Sequence, residues 1–319
     1  MFSGCRLANG LCPRRTGKRF TLPIRLVSVS RHFGVSMTGV IDYWVNLFTP
    51  EHLHELYYTN PELTDVVDFL NLHERVKGHE PDDFLAIMDA AGVDKVLIPS
   101  FKMWSFRDQY WMWHKTTEEV HEIVAKYPGR MFGLEGINPR LGLKGLQTLE
   151  RAVKEFGFVG AHYHSHGFDI AVDDPRMWPY YAKCAELDVP VVMQIGHSAE
   201  KMPSATGQPI RLDRIAMHFP ELKIVAAHTG WPWTEELVAM AWKHPNVYIG
   251  TTAHAPKYWE ETLVKFINGR GRGKVLFGTD FPVVDHATAL SQIDQLALKD
   301  AAKEQLLSGA ARRVFGFEE

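Results

Sequence analysis

Val275-Leu276-Phe277-Gly278-Thr279-Asp280-Phe281-Pro282 is an apolar run that ends on a carboxylate and is then stopped by a proline, which has no N–H to continue a ladder. It reads as the last strand of a barrel, with Asp280 at its C-terminal end. Two further runs close in the same manner, Val191-Val192-Met193-Gln194-Ile195-Gly196-His197 and Lys223-Ile224-Val225-Ala226-Ala227-His228. In a (β/α)8 barrel such ends meet at one mouth. Three side chains able to bind metal or move protons are therefore expected together there.

The rest of the chain fits that frame. From residue 39 onward short apolar runs alternate with helical patterns. Candidate strands span 40–45, 95–99, 131–137, 159–163, 189–195, 224–227, 247–251 and 275–278, several rich in β-branched residues. Amphipathic stretches lie between them at 82–91, 118–127, 144–156, 176–187, 212–219, 235–243 and 258–267, several opened by Pro or Asp. This order predicts parallel strands joined by right-handed crossovers. No GxGxxG follows the first strand, which disfavours an open doubly wound sheet. The expected architecture is an α/β protein with a single-domain TIM barrel over 39–317.

Residues 1–41 carry Arg6, Arg14, Arg15, Lys18, Arg19, Arg25 and Arg31 but no acid. A basic leader over 1–38 is expected, with three readings: a disordered segment, an over-extended start ahead of Met37, or a mitochondrial transit peptide that Pro13 and Pro23 disfavour. A cytoplasmic protein is expected, or a matrix one where the leader is a transit peptide. The whole chain has a formal charge of −3, so the part after these seven cations stands at −10, an unfavourable surface for nucleic acid. No apolar run approaches the ~20 residues of a membrane span. Cys5, Cys12 and Cys184 are too scattered for a disulfide framework or a CxxC site, and Cys184 reads as core. A small-molecule carboxylate is the expected partner, with a homo-oligomer left open.

Residues 59–79 form a polar insertion longer than the ~2–6 residues usual for a βα loop, and read equally as a lid or as a helical surface excursion. The loop after the second strand crowds Phe101, Trp104, Phe106, Tyr110, Trp111 and Trp113 beside Lys102 and Arg107. Such a mixture can stack a planar ring and grip a carboxylate, because a guanidinium fork matches two carboxylate oxygens. Trp111 and Trp113 themselves read as helix packing.

The strand ends Gly196-His197, Ala227-His228-Thr229-Gly230-Trp231 and Phe277-Gly278-Thr279-Asp280-Phe281-Pro282 resemble, in order and spacing, the amidohydrolase superfamily. The branch they are similar to contains aminocarboxymuconate-semialdehyde decarboxylase and the hydroxybenzoate and resorcylate decarboxylases. The resemblance spans about residues 39–317. It implies a divalent ion, zinc or manganese, held by an HxH on the first strand, a histidine of the fifth and an aspartate of the eighth. His197 and Asp280 match the last two ligands, and His228 matches a proton-exchanging histidine, a task suited to imidazole.

The first motif departs from this pattern. Ile41-Asp42-Tyr43-Trp44-Val45-Asn46 puts Trp44 and Asn46 where the two histidines belong. Indole offers no lone pair to a metal, and an amide oxygen is a poor partner for zinc. Three readings follow: a weakened site of Asn46, His197 and Asp280, a rebuilt site, or chemistry without metal. For a rebuilt site the recruit is His162-Tyr163-His164-Ser165-His166, whose alternate residues share a strand face, with His164 expected to face the mouth. Trp44, Lys102, Arg107 and His254 are candidate substrate contacts. His52, His54, His73 and His79 read as solvated, and His286 stays open. Against these readings, a strand-end histidine can be plain core and a strand-end aspartate can cap the next helix.

The function expected is a decarboxylase, a carboxy-lyase acting on a small aromatic or ring-derived carboxylate, with His228 and Asp280 in proton transfer and His197 holding metal or substrate. Hydrolysis of a lactone or ring-cleavage product in the same mouth is the alternative. A barrel that binds ligand without catalysis is the third.

Overall fold

A computed structural model describes residues 39–317, so the basic leader expected at 1–38 lies outside the described residues. Eight strands form one parallel sheet in chain order: β1 (Val40–Asp42), β2 (Val93–Pro99), β3 (Met131–Gly136), β4 (Gly160–Tyr163), β5 (Val191–Gln194), β6 (Ile224–Ala227), β7 (Val247–Gly250) and β8 (Val275–Leu276). Each falls on one of the eight apolar runs. Strands β4, β5 and β6 are buried along their whole length, as the near-continuous apolar sequence of a parallel sheet covered on both faces requires.

The extensions of the first and last strands close the ring. The N–H of Tyr43 donates to the Phe277 carbonyl at 3.2 Å, that of Asp280 to Trp44 at 3.0 Å, and that of Asn46 to Phe281 at 3.0 Å. Asp42 reinforces the seam from inside. Its Oδ1 accepts the backbone N–H of Trp44 at 3.0 Å and of Thr279 at 3.1 Å, and its Oδ2 takes the Thr279 hydroxyl and Nε2 of His286. His286, left open by the sequence, is thus a buried partner of Asp42.

The helices begin where local chemistry starts them. Pro50–Tyr58, Pro61–Phe69 and Pro81–Ala91 each open on a proline, whose fixed φ and missing N–H suit the first helical turn. Thr116 and Glu119 form a reciprocal capping box at the start of Thr117–Val124. The insertion at 59–79 holds the helix Pro61–Phe69 and a 3-10 turn at Arg75–Lys77.

The aromatic loop after β2 differs from expectation. It is a two-stranded antiparallel hairpin, Lys102–Trp104 against Trp111–His114, rather than a helix that packs Trp111 and Trp113. The alternation of Trp111, Met112 and Trp113 has the two-residue period of a strand. Among the described residues no helix is long and apolar enough to cross a membrane.

Candidate active site at the barrel mouth

The C-terminal ends of the strands open into a cavity of about 560 Å³, within the usual range for a small-molecule site. His197, His228 and Asp280 all line it, as do Trp44, Asn46 and His254. The aromatic rings of Tyr57, Phe101, Trp113 and Trp231 form much of the remaining wall, and the insertion contributes Leu63, Val66, Phe69, Leu70 and Arg75.

The backbone at the mouth is unusual. His228 (φ 61°), Thr229 (φ 54°), Ala253 (φ 66°) and Asp280 (φ 56°) all adopt left-handed conformations. Each costs a non-glycine residue about 1–3 kcal/mol, and such outliers cluster where function over-determines geometry. They follow β6, β7 and β8, three neighbouring strands.

Burial sets the protonation of the reactive groups. It holds the Asp280 carboxyl well above the usual carboxylate range, opposed only in part by the hydrogen bond from Asn46. It holds the His228 imidazole well below its ordinary value, with His254 adding to the effect. His254 is lowered to about 4, by burial and then by His197. Burial thus favours the protonated form of the Asp280 carboxyl and the neutral form of the His228 and His254 imidazoles.

A hydroxyl chain holds the ring of His228. Burial keeps the Tyr43 phenol protonated, and its partner is Oγ1 of Thr252 at 2.7 Å. Thr252 also accepts the backbone N–H of His228 at 3.2 Å. The same Oγ1 lies 2.9 Å from Nδ1 of His228, so the phenol, the imidazole and a backbone N–H meet on one hydroxyl. In His197, Nδ1 lies 2.8 Å from the Ser198 carbonyl, which only accepts, so the lone pair is on Nε2.

Several expected residues stand elsewhere. Arg107 is exposed and paired with its neighbour Asp108, with N–O distances of 2.9 and 2.6 Å, because an adjacent carboxylate satisfies the fork more cheaply than a distant ligand. Lys102 is buried under the hairpin, where its ammonium donates to the carbonyls of Ser100 and Lys115, and it does not line the cavity. The cations on the cavity wall are Arg75 and Lys257.

His164 does not reach the mouth either. Its ring packs 5.5 Å from Phe101 and 5.6 Å from His166 by centroids, with neither nitrogen hydrogen-bonded. His162 is covered by Trp44 at 4.4 Å and Phe101 at 4.7 Å. These two rings stand on the cavity wall, so the imidazole lies behind an aromatic lining.

The sequence reading also missed Gln194. It is the terminal residue of β5 and lines the cavity with a buried, unpartnered Oε1, whereas His197 stands three residues past the strand. The signal was its place at the end of the Val191-Val192-Met193-Gln194 run.

The metal ligands implied by the first-strand motif do not fit these residues. The Trp44 indole N–H donates to Oδ1 of Asn46 at 3.1 Å, and Nδ2 of Asn46 donates to Oδ1 of Asp280 at 2.8 Å. Asn46 thus presents its N–H edge, not its oxygen, to Asp280, contrary to the expectation that it serves as a ligand. Among the described residues, no group of three or more His, Cys, Asp or Glu side chains is arranged to hold a metal ion.

Comparison with known proteins places the chain in a family. It is 26% identical over 253 residues to a gamma-resorcylate decarboxylase of Polaromonas sp. (strain JS666 / ATCC BAA-500), covering 63% of this chain and 75% of that one. It is 24% identical over 240 residues to the 2-amino-3-carboxymuconate-6-semialdehyde decarboxylase of Dictyostelium discoideum, covering 63% and 65% respectively. Among solved structures, a dihydroxybenzoic acid decarboxylase from Polaromonas sp. JS666, with bound manganese and 2-nitroresorcinol, superposes with a TM-score of 0.62 at 21% identity, covering 89% of this chain and 98% of that one. The family model for Amidohydrolase matches residues 41–317, and the chain belongs to that family.

Proposed function

We propose that this protein is a carboxy-lyase that removes CO2 from a small aromatic or ring-derived carboxylate. The observation that carries the reading is that Asp280 and His228 meet on one aromatic-walled cavity, where burial favours the protonated carboxyl and the neutral imidazole. The decarboxylase relatives support the reaction type.

Decarboxylation replaces a carbon–carboxylate bond with a carbon–hydrogen bond, so the site must supply one proton to carbon. Asp280 holds that proton. Its transfer to the ring carbon bearing the carboxylate weakens the bond to CO2, and the electron pair of that bond restores the ring as CO2 leaves. The Asp280 carboxylate is reloaded from solvent before the next turnover. His228, its Nδ1 side bonded to Thr252, turns Nε2 to the substrate and hydrogen-bonds a ring hydroxyl or enol oxygen that gathers negative charge. Trp44, Phe101 and Trp113 offer faces and edges to a planar ring. Arg75 and Lys257 place positive charge on the wall of an otherwise acidic protein and favour entry of an anion.

The test is turnover of a panel of mono- and dihydroxybenzoates in D2O, followed by mass spectrometry of the product. The expected product has lost CO2 and carries one deuterium on the vacated carbon. Incorporation of ¹⁸O from labelled water into a new carboxyl or hydroxyl group would instead assign the mouth to hydrolysis or hydration.

A further inference from the structure

We propose that the barrel mouth works without a bound divalent ion, and that the hydrogen-bond chain from Trp44 through Asn46 to Asp280 takes the place that an ion would fill. The argument begins with the orientation of one amide. Asn46 is buried, with its oxygen toward the indole N–H at 3.1 Å and its nitrogen toward the Asp280 carboxyl at 2.8 Å. Rotating that amide by half a turn would set its oxygen against a carboxyl oxygen and its N–H2 against an indole N–H. The second contact would set donor against donor, so the indole N–H enforces the observed direction. A cation between Asn46 and Asp280 would meet an N–H donor, the wrong end of the dipole.

The remaining donors do not compensate. Trp44 offers no lone pair, and β5 ends on a second neutral amide, Gln194. His197 turns Nε2 away from its own hydrogen bond, which Nδ1 makes to the Ser198 carbonyl. Tight binding of zinc takes at least three good nitrogen, sulfur or anionic oxygen ligands, and harder ions take more oxygens still. His197 and Asp280 fall short of either set, and among the described residues His254 and Glu200 on the same wall do not complete one with them. The same bonds perform the mechanical task of a ligand set, since Asn46 fixes the carboxyl of Asp280 and the Trp44 indole fixes Asn46. Trp44 is in turn wedged against His162 and His228, with ring centroids 4.4 and 4.9 Å away.

The inference is tested without substrate, so its outcome is independent of the carboxy-lyase reading. Full-length protein is stripped with EDTA, equilibrated by dialysis with manganese or zinc, freed of loose ions and analysed by inductively coupled plasma mass spectrometry. The wild type is expected to retain less than ~0.1 ion per chain. The Trp44→His/Asn46→His double variant, which supplies two imidazoles facing Asp280, is expected to retain at least about tenfold more. Asn46→Asp, nearly isosteric, provides a second variant where the double one does not fold, and it too should gain ion uptake. Near-stoichiometric retention by the wild type that is lost in Asp280→Ala would overturn the proposal, as would wild-type uptake equal to that of the folded variants.

Discussion

Nε2 of His286 lies 2.9 Å from Oδ2 of Asp42, and both side chains are fully sealed from solvent. Their partners lie at opposite ends of the barrel sequence, so this contact helps hold the seam where β8 returns to β1. Asp42→Ala would leave the Thr279 and Trp44 donors and the His286 ring buried without an acceptor. The expected loss is about 3–5 kcal/mol of unfolding free energy, read by urea denaturation. His286→Ala should cost less, because the two backbone N–H groups would keep their acceptor.

Thr252→Val tests how His228 is controlled. The change keeps volume but removes the hydroxyl that Nδ1 of His228 bonds at 2.9 Å. Turnover should fall by about 10–100-fold with little change in KM, as when the orienting partner of an active-site histidine is lost. The ¹⁵N shifts of the ring in NMR should move toward a mixture of tautomers. Unchanged shifts together with unchanged turnover would show that Thr252 is only a packing residue.

Gly167→Ala probes the hairpin. A Cβ at this position would lie 1.9 Å from the Trp104 carbonyl oxygen, a collision with backbone that no side-chain rotation relieves. The hairpin carries Met103 and Trp113 to the cavity wall, so its displacement should reshape the aromatic side of the pocket. We expect a stability loss of about 1–3 kcal/mol and weaker binding of ring ligands by calorimetry. A variant that binds as tightly as wild type would detach the hairpin from ligand recognition.

Lys274, beside the start of β8, gives a pH prediction away from the mouth. Its Nζ donates to the carbonyls of His244 at 2.9 Å and Pro245 at 2.8 Å, yet burial lowers its pKa to about 8. The unfolded side chain titrates near ~10.4. Between these values the unfolded chain keeps a proton that the folded chain has released, so this residue makes stability rise with pH across the window and fall as pH drops through about 8. The side chain is partly exposed, so the slope should be well below the ~1.4 kcal/mol per pH unit of a whole proton. Subtracting the Lys274→Met curve from the wild-type curve between pH 7 and ~10.5 isolates it.

The barrel was legible because parallel strands covered on both faces must be almost wholly apolar, and a run such as Ile224-Val225-Ala226-Ala227 admits few other readings. Two strand ends were legible because His228 directly follows the apolar run of β6 and Asp280 closes the run of β8 ahead of a chain-stopping proline. Reach and pairing were not. Arg107 was spent on its neighbour Asp108, and the ammonium of Lys102 was turned down onto carbonyls by the hairpin. The contact between Asp42 and His286 spans 244 positions, and no local pattern announces it. Gln194 escaped notice because the nearby His197 has the more familiar chemistry, although the strand stops three residues earlier.

One stretch of chain, the helix Pro61–Phe69 with the turn at Arg75–Lys77, supplies Leu63, Val66, Phe69, Leu70 and Arg75 to the cavity wall while contributing no strand to the barrel. This part of the cavity wall is therefore physically separate from the strand ends that carry His228 and Asp280. Evolution, or an engineer, can retailor which molecules are admitted by rewriting this one excursion and leave the inner cylinder untouched.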